Sequence, residues 1–122
     1  MNLSWTTQND VCIALVESET PVLCSVGDAL GLLAEARAKE TCDCFAIPKS
    51  AVDESFFKLA TGFAGEVLQK FVNYGMKFAV YGDFSKYASK PLQDFMRESN
   101  RGHTVFFAAT QEDALEKLAS AR

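Results

Sequence analysis

Apolar residues fall along the chain in two rhythms, short uninterrupted runs and helical stripes, and the two alternate. Residues 3–8 alternate weakly between apolar and polar and predict an edge strand. Asn9-Asp10 is a turn signal, and the apolar run 11–16 follows it, so the two strands are expected to form a hairpin. Residues 17–23 read as a polar loop containing Pro21. Ser25, with Asp28 three residues on, opens a helix over 26–39 that carries Val26, Ala29, Leu30 and Leu33 on one face. Residues 41–47 predict the next strand, stopped by Pro48. A short helical stretch begins at Asp53. A further helix follows with the stripe Ala64, Val67, Leu68, Phe71 and Val72, and Gly75 closes it. Residues 76–81 form a strand closed by Gly82-Asp83. Pro91 suits the first turn of the next helix, which carries Leu92, Phe95, Met96 and Ser99 and ends at Asn100-Arg101-Gly102. Residues 104–109 are the last strand, and Thr110 with Asp113 opens a final helix with Ala114, Leu115 and Leu118 inward.

The order is therefore β-β-α-β-α-α-β-α-β-α. Strands that alternate with helices imply right-handed βαβ units, hence an α/β fold with a mostly parallel sheet of about five strands. The near-continuous apolar strands fit a sheet buried on both faces. The first strand is expected to be its antiparallel N-terminal edge. The chain of 122 residues supports one core, so a single domain over 1–122 is expected.

Composition narrows the function. At 48% apolar residues the chain can bury a core, which excludes disorder as its main state. No apolar run reaches the roughly 18–20 residues of a membrane span, so no membrane role is expected. Residues 1–5 lack a basic start and an apolar signal stretch, which predicts a cytoplasmic location. The net charge of −4 argues against a general nucleic-acid binder. The cysteines Cys12, Cys24, Cys42 and Cys44 read as free thiols in a reducing compartment. On a strand Cys42 and Cys44 would face the same way. Their C-x-C spacing is not a zinc pattern, and neither metal nor cofactor is expected.

In an open α/β sheet, ligands lie beyond the carboxyl ends of the strands. Those ends carry Lys49 and Ser50, then Gly82, Asp83, Phe84 and Ser85 with Ser89 and Lys90 further on, and finally Thr110. Residues 76–103 hold five Lys and Arg against three acidic side chains, a local basic bias in an acidic chain. Lys49, Ser50, Asp83, Ser85, Lys90 and Arg101 are thus the candidate ligand-binding set, suited to a small anion. The competing reading of each is structural: Asp83 as a turn cap, Lys49 and Ser50 as an ordinary polar loop, Asn100 and Gly102 as a helix end. Phe56 and Phe57 are candidate partner-facing aromatics within a mainly buried set of phenylalanines. Ser50 and Ser55 are candidate phosphorylation sites. Asp83 with Glu66 is the pair an enzyme would use, and no catalytic residue is assigned. His103, the only histidine, has no Ser or Cys partner in a recognisable motif. Gly62-x-x-Gly65 lacks the Lys-Ser/Thr of a phosphate loop.

Several stretches together resemble a known family. They are Lys49-Ser50-Ala51-Val52 with Phe56-Phe57, residues 61–74 (TGFAGEVLQKFVNY), Gly82-Asp83-Phe84-Ser85, Ser89-Lys90 and Glu98-Ser99-Asn100-Arg101-Gly102. They resemble the small prokaryotic family known as domain of unknown function 4180. The resemblance implies a stand-alone domain of this length and carries no activity. The element order is also similar to the STAS fold of anti-sigma-factor antagonists (SpoIIAA-like proteins). That likeness implies a regulatory, partner-binding role, with a phosphorylation switch at the position of residues 49–55, where the usual Asp-Ser pair is absent. The expectation is a non-enzymatic regulatory or protein-interaction domain with a protein partner. The alternative is a small-molecule or anion-binding domain, and the exposed first strand favours a homodimer.

Overall fold

A computed structural model describes residues 1–39 and 41–121. Five strands form one sheet in the order β1 (Asn2–Gln8), β2 (Val11–Glu17), β3 (Cys44–Pro48), β4 (Lys77–Tyr81) and β5 (Val105–Ala108). β1 is antiparallel to β2, and the remaining pairs are parallel. Asn9 and Asp10 join the first two strands with φ of 52° and 65°, the paired left-handed geometry that matches strand twist in a two-residue hairpin. Four helices complete the fold: α1 (Val26–Ala36), α2 (Phe63–Tyr74), α3 (Lys90–Arg101) and α4 (Gln111–Ser120). No described helix is long and apolar enough to cross a membrane.

The strand order decides where the helices go. Each parallel strand pairs with the next in sequence, so successive right-handed crossovers all move across the sheet in one direction. This puts α1, α2 and α3 on the same face. That face is lined with large side chains: Val16, Phe45, Ile47, Phe78, Val80 and Phe107. Phe45, Phe71 and Phe78 form its centre, with ring centroids 4.8–5.5 Å apart. After β5 the chain turns back, and α4 alone covers the other face. That face carries Ile13 and Phe106 but also several small residues, with Ala46, Ala79 and Ala108 under Ala114 and Leu118. Small residues let the backbone of one helix lie close across β2 to β5.

Local chemistry sets the boundaries. The hydroxyls of Ser25, Ser89 and Thr110 accept from the backbone N–H groups of Asp28, Leu92 and Asp113 and so cap α1, α3 and α4. Gly75, at φ 68°, ends α2 as a left-handed cap. Two expectations are corrected. β3 starts at Cys44 rather than at Thr41, so Cys42 lies before the strand. The two thiols therefore do not share a face: Cys42 is packed into the large-residue core and Cys44 into the α4 side. The helical stretch expected from Asp53 is two short 3-10 turns, Glu54–Phe57 and Leu59–Thr61, and a third, Lys49–Ala51, precedes it. They are tied to the β2–α1 loop, because the Val22 and Leu23 N–H groups both donate to the Ala51 carbonyl and the Asp53 N–H to that of Leu23.

Candidate functional site

The register levels the carboxyl ends of the parallel strands. Pro48 pairs with Tyr81, and Tyr81 with Ala108. Lys49, Gly82 and Ala109-Thr110 follow directly, so the three downstream loops emerge at one end of the sheet. The approach is close: a Cβ placed on Gly82 would lie 2.8 Å from the Lys49 Cβ.

A charged and aromatic cluster ties this rim together. The Glu54 carboxylate accepts from the Tyr87 hydroxyl at 2.9 and 3.0 Å and from the Lys86 Nζ at 3.0 Å. Lys49 Nζ stands 3.6 Å from the same carboxylate. Lys49 also lies over the rings of Tyr87 and Phe57, at 5.1 and 5.9 Å from their centroids, and Lys86 over Tyr87 at 5.2 Å. Only 19% of the Lys49 side chain is exposed, and its ammonium lies against two aromatic faces and one carboxylate. Beneath it Phe57 stacks on Tyr87 at 5.0 Å, and Phe84 bridges Phe57 to Phe107.

The electrostatics follow from these contacts. Partial burial pushes the Glu54 carboxyl up, but the hydrogen bonds from Lys86 and Tyr87 and the two ammonium charges outweigh it and hold the group below the usual range. Burial and the Glu54 carboxylate raise the Tyr87 phenol well above its ordinary value. Asp83 is lowered by its hydrogen bonds with Ser85, and Lys49 adds to this. Its Oδ1 accepts from the Ser85 N–H at 2.9 Å, which is the turn-cap role.

The predicted residues divide. Lys49, Ser50, Asp83 and Ser85 lie on the rim, and Lys90 begins α3 beside it. Ser50 donates to the Ser18 carbonyl at 2.9 Å, and Lys90 pairs with Asp94 at 3.0 Å. Arg101 is displaced from the set. It ends α3, eleven residues and roughly 16 Å of helix rise from Lys90, at the opposite end of the sheet, where it pairs with Glu98. Phe56 and Phe57 are not surface aromatics. They are 0% and 4% exposed, and Phe56 packs edge-on against Phe57, Phe63 and Phe78. Two aromatic side chains in one 3-10 turn both reach the core because that turn packs against α2, and Phe56 extends from it to Phe63 and Phe78. Ser55 is half-buried and donates to the Asp53 carboxylate, which also accepts its N–H at 3.0 Å. Glu66 is exposed on α2, and among the described residues no hydrogen bond or ion pair joins it to Asp83. His103 precedes β5, at the end of the sheet away from the rim.

Sequence reasoning did not single out Glu54, Lys86 or Tyr87. Thirty-two residues separate Glu54 from Lys86, and no periodicity links them; only the β3–β4 register brings their loops together. Asn100 lies at the end of α3, as its sequence reading has it, and has a further structural role there. The Asn100 amide accepts from the Phe107 N–H at 2.7 Å and donates to the Phe107 carbonyl at 3.2 Å, closing the outer edge of β5 as a further strand would.

The thiols stand apart from the rim. Those of Cys42 and Cys44 both donate to the Cys12 carbonyl, at 3.5 and 3.3 Å, beside a cavity of about 250 Å³ lined by Cys12, Cys44, Asp43 and Lys77. Burial raises both, Cys44 to about 12, so they stay protonated and inert. No disulfide links the described cysteines, and among the described residues no cluster of three His, Cys, Asp or Glu is arranged to hold a metal.

With this geometry in hand, a family model described as Domain of unknown function (DUF4180) matches residues 8–118. The chain belongs to that family. No curated protein and no solved structure matches it. The rim cluster of Glu54, Lys86 and Tyr87 and the edge-closing Asn100 all lie within the matched DUF4180 span.

Proposed function

We propose that this DUF4180 chain is a cytoplasmic, non-enzymatic regulatory domain of STAS-like architecture that works through protein contacts, self-association included. The observation that carries the reading is how the rim groups are used. Asp83 holds Ser85, Asp53 holds Ser55, Ser50 reaches Ser18, and Glu54 is shared by Lys86, Tyr87 and Lys49. Each group that could hold a proton or a ligand is engaged by a neighbour. Such an arrangement fixes a shaped surface whose polar groups are engaged with one another, so it suits docking better than chemistry.

Two serines could carry a charge switch, and their surroundings rank them. A phosphate on Ser55 would face the Asp53 carboxylate and be repelled. One on exposed Ser50 would follow Lys49 and break the contact to Ser18, changing how the 49–53 turn meets the β2–α1 loop. The test is affinity capture with the wild-type chain against Lys86→Glu and Ser50→Asp. Partners lost with both variants would support the reading. Partners retained by both would refute this surface.

A small anion is the second reading, favoured by the convergence of Lys49 and Lys86 on one carboxylate. An incoming anion would have to displace Glu54. Glu54→Gln should then raise anion affinity, and a thermal-shift screen with phosphate and dicarboxylates would detect it.

A further inference from the structure

The two edges of the sheet are treated differently. β5 is four residues long, and the Asn100 amide occupies the N–H and carbonyl of Phe107 on its outer side. β1 is seven residues long and pairs with β2 without a bulge, from Asn2↔Glu17 to Gln8↔Val11. It contains no proline and no ionisable side chain, the devices by which open edges usually repel other strands.

The hairpin determines which backbone groups face outward. In a two-residue hairpin the residues flanking the turn form a hydrogen-bonded pair, here Gln8 and Val11, and such pairs recur at every second position. Thr6, Ser4 and Asn2 therefore point their N–H and C=O groups inward to β2. The N–H and C=O groups of Leu3, Trp5 and Thr7 point away from the sheet. Among the described residues nothing bonds them.

The geometry points to this edge as the docking site for a second copy of the chain, by antiparallel β1–β1 pairing about a two-fold axis at Trp5. The inference rests on the reading of the chain as a protein-contact domain and names one such contact. In this register Leu3 meets Thr7 of the second copy, Trp5 meets its own counterpart, and about six hydrogen bonds use every outward group. Displacing the axis by one hydrogen-bonding step in either direction leaves some of those groups unpaired. On the α4 side Ser4 faces Thr6 of the second copy and Asn2 faces Gln8, uncharged pairs able to hydrogen-bond across strands.

Charge selects the occupant. Each chain carries −4, so most faces of two copies repel, whereas strand 2–8 has no charged side chain of its own; the nearest cation, Lys39, lies over the Trp5 ring at 5.4 Å. Beside α1, Gly27 and Gly31 line an open recess of about 430 Å³ with Met1, Val22 and Leu32, and the acidic Asp28 and Glu35 border it as well.

Trp5 is the only tryptophan and sits at the proposed axis, so its signal reports the contact. Sedimentation equilibrium and tryptophan circular dichroism, followed over a concentration series, should show a monomer–dimer equilibrium with a Trp–Trp exciton couplet that grows with the dimer. Added salt should strengthen it by screening the net charge. Thr7→Pro removes an outward N–H and leaves the β2 ladder intact. Symmetry deletes two bonds per dimer, so association should weaken on the order of tenfold or more. Thr7→Val should leave it unchanged. Ser4→Glu/Thr6→Glu and Ser4→Lys/Thr6→Lys should each be monomeric, and an equimolar mixture of the two should dimerise. A wild-type chain that stays monomeric, or a dimer that survives both Thr7→Pro and the charge pairs, would overturn the inference. Neither result bears on the rim, whose capture test alters residues outside β1.

Discussion

Gly82 is the position where a single methyl group tests how the rim is built. It follows β4 at φ 154°, a backbone that side-chain-bearing residues rarely adopt, and its Cα faces the Lys49 stem. A Cβ there would meet the Lys49 Cβ at 2.8 Å and its Cδ at 3.5 Å. The Cβ is the least movable atom of the lysine, because it is fixed to the backbone that leaves β3. Relief requires either strain at residue 82 or a shift of the 49–51 turn. A disfavoured backbone costs about 1–3 kcal/mol, and overpacking about the same again. Gly82→Ala should therefore lower stability by about 2–6 kcal/mol. For a domain of this size that is a fall in Tm of roughly 8–24 °C. Gly31→Ala is the internal control. It lies on the exposed face of α1 with nothing within 4 Å of its added Cβ, and it should gain about 1 kcal/mol from helix propensity. Urea denaturation followed by far-UV circular dichroism measures both. A Gly82→Ala protein that melts within about 2 °C of wild type would refute the close-packed rim, since the expected penalty is several times larger.

Other outcomes follow from the same contacts. Phe56→Ala should cost about 3–5 kcal/mol in urea denaturation, because the ring is fully buried among three others; a loss below about 1 kcal/mol would mean that it is not a core residue. Asn100→Ala strips two hydrogen bonds from β5 and should cost about 1–3 kcal/mol in the same assay. Asp53, Glu54, Asp83 and Asp94 all have folded carboxyl values below their ordinary ones. The stability they contribute is complete above the unfolded values and is lost as pH falls through the folded ones. Thermal melts should therefore fall below about pH 4, and Glu54→Gln should reduce that fall. A disulfide reagent at pH 8 should label exposed Cys24 first, whereas Cys42 and Cys44 should react only on unfolding; prompt reaction of Cys44 would contradict its burial.

The sequence by itself determined the order of elements, the direction of the strands and the end of the sheet where Lys49, Asp83 and Thr110 emerge. Those features depend on local signals: the apolar period, the capping Ser and Thr residues, and the handedness that every β-α-β crossover obeys. Tertiary structure decided which of the exposed candidates meet. Phe56 and Phe57 look alike in the sequence whether they face a partner or the core, and only the path of the 49–61 turns over β4 buries them. Arg101 shares a helix with Lys90 but lies at its other end. Cys42 and Cys44 parted because β3 begins three residues later than the sequence pattern suggests. Glu54, Lys86 and Tyr87 carry no shared local pattern, since a contact across about thirty residues is set by strand register alone. Burial and convergence depend on where distant segments pack, and no local window of sequence contains that information.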